Sequence, residues 1–271
     1  MSRAGDRNGI ERHGIERQGL EGQGLEGQGL KGQSVVIVGA SHGIGAAAAR
    51  ALARSGADVR LVGRSKERLD EVAESIQGTL HQPQVHQLDA TDEAAVAGFF
   101  AAAGPVDHLV LAASPGAVGS GPFASLDAAA LRQAFDGKFF AHFTVLRAAQ
   151  VRRSVTIITA ASARAAFAGA AGLAAVNGAL EAMIRPLALE LAPVRINAVS
   201  PGIIDTPWWD AVPPEPRAAL FASAAAITPA GRVGRPEDVA DAVLYLAGAD
   251  FVTGTVLECT GGAHLTAGAA S

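Results

Sequence analysis

The chain has 271 residues, 49% of them hydrophobic and 18% charged, with a formal net charge of −4, which implies a single domain with a substantial core. Its 22 basic and 26 acidic residues are spread along the sequence, so no surface for nucleic-acid phosphates is expected. No apolar run reaches about 18 residues, which argues against a membrane span, and the single Cys259 excludes an intrachain disulfide framework.

The chain opens with a five-residue unit repeated from Gly9 to Gln33, beginning Gly-Ile-Glu-Arg-His and ending Gly-Leu-Lys-Gly-Gln. A period of five matches neither helix nor strand. One Ile or Leu per unit buries too little surface to offset the entropy of ordering so many glycines. Residues 1–29 are therefore expected to be a disordered tail and 30–271 the folded unit. The polar start has no apolar core of the kind a secretory signal needs, so a cytoplasmic location is expected.

From Ser34 strand and helix alternate. Strands are predicted at Val35 to Val38, Asp58 to Val62, Gln84 to Leu88, Asp107 to Ala112, Ser154 to Thr159, Arg195 to Val199 and Thr255 to Glu258. Helices are predicted at Ser65 to Gln77, Asp92 to Ala102, Leu126 to Ala149, Leu173 to Leu191 and Pro236 to Leu246. Short apolar strands separated by helices imply an α/β fold, a single doubly wound parallel sheet of Rossmann type with helices on both faces. Its ligand crevice is expected at the carboxyl ends of the strands.

The first strand runs into Gly39-Ala40-Ser41-His42-Gly43-Ile44-Gly45 and then an alanine-rich helical stretch. Glycines there allow a tight turn and close approach of backbone to phosphate, and the helix N-terminus offers free N–H groups to a pyrophosphate. Gly39, Ser41, His42, Gly43, Ile44 and Gly45 are thus candidate dinucleotide contacts. After the second strand comes Arg64, where an NAD-preferring site usually has an acidic residue. A guanidinium there favours the 2′-phosphate of NADP(H), with NAD(H) the second choice.

The Gly-x-x-x-Gly-x-Gly spacing of that loop resembles the classical short-chain dehydrogenase/reductase family, and the resemblance runs from about Leu30 to the C-terminus. It continues in Asp89-Ala90-Thr91-Asp92, similar to the family's adenine-contacting turn, and in Ala112-Ala113-Ser114-Pro115-Gly116, which stands where the family has Asn-Asn-Ala-Gly. Asp89 could equally cap a helix. Pro201-Gly202-Ile203-Ile204-Asp205-Thr206-Pro207 resembles the family's nicotinamide-side loop, and the stretch Gly231 to Ala240 is also family-like. The resemblance implies cofactor contacts from Asp89, Ala90, Ala112, Ser114, Pro201, Gly202, Ile204 and Thr206. It also implies a homodimer or homotetramer.

The family works through an Asn-Ser-Tyr-Lys tetrad. By spacing, those positions fall on Asp136, Ala160, Leu173 and Asn177, so all four are changed. Leucine cannot exchange the proton that tyrosine does, which removes the usual acid–base relay. Asp136, Thr159 and Ser162 are the candidate replacements. Each has a plainer reading: a carboxylate in a helix kink, and small hydroxyls bonded to nearby backbone. His142 is read as structural. Trp208 and Trp209 are candidate substrate contacts, or residues that pack the loop or form a subunit contact. No metal site is expected.

Three functions compete: an NADP(H)-dependent oxidoreductase with an unusual proton source, acting on a hydrophobic alcohol, ketone or other unsaturated small molecule; a non-redox cyclase, isomerase or lyase; and a cofactor-binding pseudoenzyme. The kept nicotinamide-side loop favours the first.

Overall fold

The computed structural model describes residues 29–266. The repeat tail expected over 1–29 lies, apart from Gly29, outside them. Seven parallel strands form one sheet in the order β3-β2-β1-β4-β5-β6-β7: β1 Ser34–Val38, β2 Asp58–Gly63, β3 Gln84–Gln87, β4 Val106–Leu111, β5 Val151–Ile158, β6 Arg195–Pro201 and β7 Val256–Cys259. The order reverses between β1 and β4, where a doubly wound sheet opens its ligand crevice.

The central strands are apolar runs because both their faces are covered. On one face α1 (Gly43–Arg54) packs beside α8 (Pro236–Gly248). Ala48 and Ala49 of α1 are fully buried there, against Val239 and Val243, because small side chains let helix and sheet approach closely. On the other face lie α3 (Glu93–Ala103), α5 (Ala141–Ala148) and α6 (Ala171–Glu190), over Leu109, Leu111, Ile157 and Ile196. Each of these wholly buried side chains contributes about 2 kcal/mol by its removal from water. Two of the helices start on side-chain caps: Ser65 accepts from the Arg68 N–H at the start of α2 (Lys66–Glu74), and Asp92 from the Ala95 N–H at the start of α3. Among the described residues no helix is long and apolar enough to cross a membrane.

Two segments differ from the sequence expectation. The single helix expected over Leu126 to Ala149 is split into α4 (Ala128–Ala134), a π-helical turn (Phe135–Phe140) and α5. Gly137 lies in that turn, where an added Cβ would fall 2.8 Å from the Pro115 side chain, so the loop after β4 packs directly on the widened helix. Between the helices predicted at Leu173 to Leu191 and Pro236 to Leu246 the chain adds α7 (Pro214–Ile227), which starts with Pro214 in its first turn and Glu215 beside it, a helix-start signal.

Candidate active site

The strand ends open into one continuous cavity of about 2530 Å³. Ligand pockets commonly measure about 300–1,000 Å³, so this one has room for a dinucleotide and a second molecule. It reaches from the glycine loop past Asn177 to Trp208 and Trp209.

Its nucleotide end is shaped by backbone. Gly39 has φ 92°, and an added Cβ would fall 2.5 Å from the Ala113 nitrogen. At Gly45 an added Cβ would collide with the Gly39 carbonyl. The loop therefore folds tightly onto the strand end, and α1 begins at Gly43 with no side chain capping it and no acidic residue in its first turn. Its leading N–H groups are left for an anion. Across the cleft, an added Cβ on Gly43 would sit 3.5 Å from Thr206, so the glycine loop faces the Pro201 to Thr206 loop. That second loop is braced from behind, since Ile204 bridges to Gly234 and the Asp205 N–H donates to the Gly234 carbonyl at 2.9 Å. Asp238 receives the Arg235 N–H and both Nη atoms of Arg232, and chiefly the Arg232 hydrogen bond holds its pKa down, to about 2. The stretch after Gly231 thus supports the loop, and Arg232, Val233, Gly234 and Asp238 also line the cavity.

Arg64 is exposed at the end of β2, and its carbonyl accepts a hydrogen bond from Gln87 at 2.9 Å. Burial, and then the charges of Arg68 and Arg64, hold His42 below its ordinary pKa. The three basic side chains therefore lie near one another, and His42 and Arg64 line the cavity. Arg68 was not singled out by the sequence, because an arginine inside a surface helix carries no motif. Asp89 does not cap a helix. Its Oδ1 accepts the backbone N–H and the hydroxyl of Thr91, at 3.0 and 2.8 Å, and the backbone bond lowers its pKa. Asp92 is the cap instead. Ala90 is buried behind Asp89, and Ser114 is exposed with its hydroxyl accepting from the Gly116 N–H at 3.2 Å.

The reacting end is built from side chains on separate elements. Ala160 and Leu173 line the cavity with hydrocarbon. Asn177 is buried, its amide donating to the Leu173 carbonyl at 2.8 Å and reaching Ser162 Oγ at 3.4 Å. Its Oδ1 accepts at 2.8 Å from Lys138 Nζ, which also lies 3.4 Å from the Thr159 carbonyl. An ammonium only donates, which fixes the amide with its oxygen toward Lys138. Burial lowers the Lys138 pKa to about 8, with the Glu181 carboxylate opposing the shift.

This lysine was missed from sequence. It lies two residues past Asp136, and only the π-helical turn brings its side chain to Asn177. Asp136 lines the same cavity but is exposed and takes no part in the cluster. The Thr159 hydroxyl also departs from expectation. It is turned inward, to Glu181 Oε1 at 2.8 Å and the Val199 carbonyl at 3.2 Å, so its one proton is committed within the protein. Glu181 continues the network through Arg164 to Glu258, at 2.8 and 2.9 Å. His142 is fully buried, donating Nε2–H to the Ala113 carbonyl at 3.1 Å, and burial pushes its pKa down to about 3. It is neutral and structural at ordinary pH.

Trp209 donates its indole N–H to the Ile204 carbonyl at 3.0 Å and meets Trp208 and Phe221 edge-on. Trp208 and Trp209 both line the cavity, and Trp209 ties α7, through Phe221, to the Pro201 to Thr206 loop.

Residues 39–264 match a family model described as Enoyl-(Acyl carrier protein) reductase. A short-chain dehydrogenase/reductase of Stachybotrys chlorohalonatus is 33% identical over 86% of this chain and 97% of its own length. A small-chain dehydrogenase solved in complex with NADPH superposes with a TM-score of 0.72 at 27% identity, covering 87% of this chain and all of that one. The MalC Reductase/Diels-Alderase of Malbranchea aurantiaca superposes with a TM-score of 0.79 at 27% identity, over 87% and 98% of the two chains.

Proposed function

The chain belongs to the short-chain dehydrogenase/reductase family, and on that premise we propose that it is an NADP(H)-dependent oxidoreductase with an atypical active site. Its substrate is a hydrophobic alcohol, ketone or other unsaturated small molecule. The observation that carries this reading is the single cavity joining an uncapped helix N-terminus to an apolar reacting end. The residues fit a nicotinamide dinucleotide: α1 and Gly43 for the pyrophosphate, Asp89 and Ala90 for the adenine, and the Pro201 to Thr206 loop for the carboxamide. When bound, the cofactor supplies or accepts hydride.

NADP(H) is preferred over NAD(H) because Arg64, Arg68 and His42 crowd the corner beyond β2, where the extra phosphate would make charge-assisted hydrogen bonds. Leu173, Ala160 and the two tryptophans exclude water and favour an apolar substrate. Phe140 and Phe143, 51% and 39% exposed on neighbouring helical turns, support assembly into a homo-oligomer. The test is a titration with NADPH and NADH, followed by quenching of Trp208 and Trp209 fluorescence. Micromolar NADPH binding that weakens in Arg64→Ala is expected; no response to either nucleotide would sink the reading.

A second reading is non-redox chemistry in the same pocket. It draws on Leu173 at the tetrad's tyrosine position and on the MalC structure, whose printed name couples reductase with Diels-Alderase. A substrate that is rearranged or cyclised with no change in nicotinamide absorbance would favour it.

A further inference from the structure

We infer that Lys138 is the catalytic acid–base group of this site, a lysine delivered from the π-helical turn to the amide of Asn177, with its ammonium protonating the substrate oxygen as hydride arrives at carbon. This rests on the oxidoreductase reading above. Asn177 and Lys138 have exchanged duties. The position on α6 where the family's lysine is expected carries a neutral amide, and a lysine from the neighbouring helix fills the space in front of it, Nζ to Oδ1 2.8 Å.

Three features make the arrangement more than packing. An ammonium has three donors, and two are directed at Asn177 Oδ1 and the Thr159 carbonyl, leaving the third for a ligand in the cavity that Lys138 lines. The surrounding polar groups hold the amine without neutralising it at close range. Glu181 from α6, the one carboxylate among the described residues that bears on Lys138, is engaged by Thr159 and Arg164, and His142, one turn along the helix, is neutral. The lysine also lines the same cavity as Ala160, Leu173 and Ser162, at the end where spacing puts the tetrad's serine and tyrosine.

In reduction, hydride adds to the carbonyl carbon while an N–H proton of Lys138 passes to the oxygen. The product is an alcohol, the cofactor is oxidised, and the neutral amine regains its proton from water. Oxidation runs the same steps backwards. A group that titrates at about pH 8 is matched to such exchange. Asn177 is a positioning residue, since it acts by stabilising and aiming the ammonium.

The chain holds three lysines, Lys31, Lys66 and Lys138, so protein grown with lysine labelled with carbon-13 at Cε gives three resolvable NMR signals, assigned with Lys31→Arg and Lys66→Arg. The expected result is a Lys138 midpoint near pH 8 that falls in Asn177→Leu. It should also be lower by about one unit with NADP+ bound than with NADPH bound, because only the oxidised ring is positive. A midpoint in the ordinary range near 10.4, or one identical with the two nucleotides, would overturn the assignment. Spectra that no nucleotide alters would instead remove the oxidoreductase reading on which it stands. Asn177→Gln, which keeps the amide, should restore the midpoint towards that of the parent chain and separates positioning from loss of fold.

Discussion

At the first half of the sheet the cleft wall is set by collisions: a Cβ at Gly39 would strike Ala113, and one at Gly45 the Gly39 carbonyl. At the second half, the wall is set by charge and hydrogen bonds among Lys138, Asn177, Thr159 and Glu181. The nucleotide end depends on residues that are absent of side chain and contiguous in sequence. The reacting end depends on residues that must be present and that come from three different elements. The first kind of site tolerates no substitution at its glycines, whereas the second can pass a functional group from one helix to another and keep its position in space.

The sharpest way to break that contrast is at Gly45. Gly45→Val should cost about 3 kcal/mol or more, because the obstruction is backbone that cannot move aside, and nucleotide binding should disappear with it. Urea unfolding and the NADPH titration check this. At the other end Lys138→Met should leave the fold and NADPH affinity nearly intact while reduction of a probe such as phenanthrenequinone falls by about 100-fold or more. The parent chain should lose reduction rate as pH rises through about 8, where the ammonium deprotonates, and the variant should lack that limb. A flat profile in both would make the lysine a spectator.

Arg64→Ala sharpens the boundary between the two ends. It should weaken NADPH about tenfold or more while leaving NADH almost unchanged, the loss expected for a hydrogen bond to a charged group. Equal weakening of both nucleotides would mean that Arg64 contacts the part they share.

Acid should unfold both halves through their buried histidines. His108, held to Ser154 and Gln33 at 2.8 and 2.7 Å, has its pKa lowered by burial to about 4, and that of His142 is lowered to about 3. Both native values lie below the ordinary 6.5, so the unfolded chain binds the extra protons. Stability is complete above about pH 6.5 and declines as pH falls towards 4 and 3, by up to about 1.4 kcal/mol per pH unit for each histidine. Urea midpoints measured across that range should show the decline, and His108→Gln should reduce it. The smallest effect is expected at Arg164, which is 42% exposed at its side chain. Arg164→Ala should change stability by less than about 1 kcal/mol, read as a small shift in Tm.

The same contrast explains what could be read from the amino-acid sequence. The parallel sheet and the tight glycine loop were legible because periodicity and glycine spacing are local properties of the chain, and the same local reading singled out Arg64 and the Pro201 to Thr206 loop, which stand at the cavity. Ala160, Leu173 and Asn177, where spacing led us to expect three of the tetrad positions, also line the cavity. Lys138 was not legible, since an unbroken helix would direct attention to Asp136, and the turn that departs from regular spacing holds Gly137 close against Pro115, a neighbour 22 residues away in the chain. The inward turn of the Thr159 hydroxyl depends on Glu181, likewise from another element.

The π-helical turn from Phe135 to Phe140 also works as a phase setter. Each residue of a regular helix advances the direction of its side chains by about 100° and each residue of a π-helical turn by less, so removing Gly137 and rewinding the turn would redirect Lys138 away from Asn177 while α4 and α5 stayed seated. Shape and composition would hardly change. The chain would keep the same inventory of residues and lose the angle that makes one of them useful.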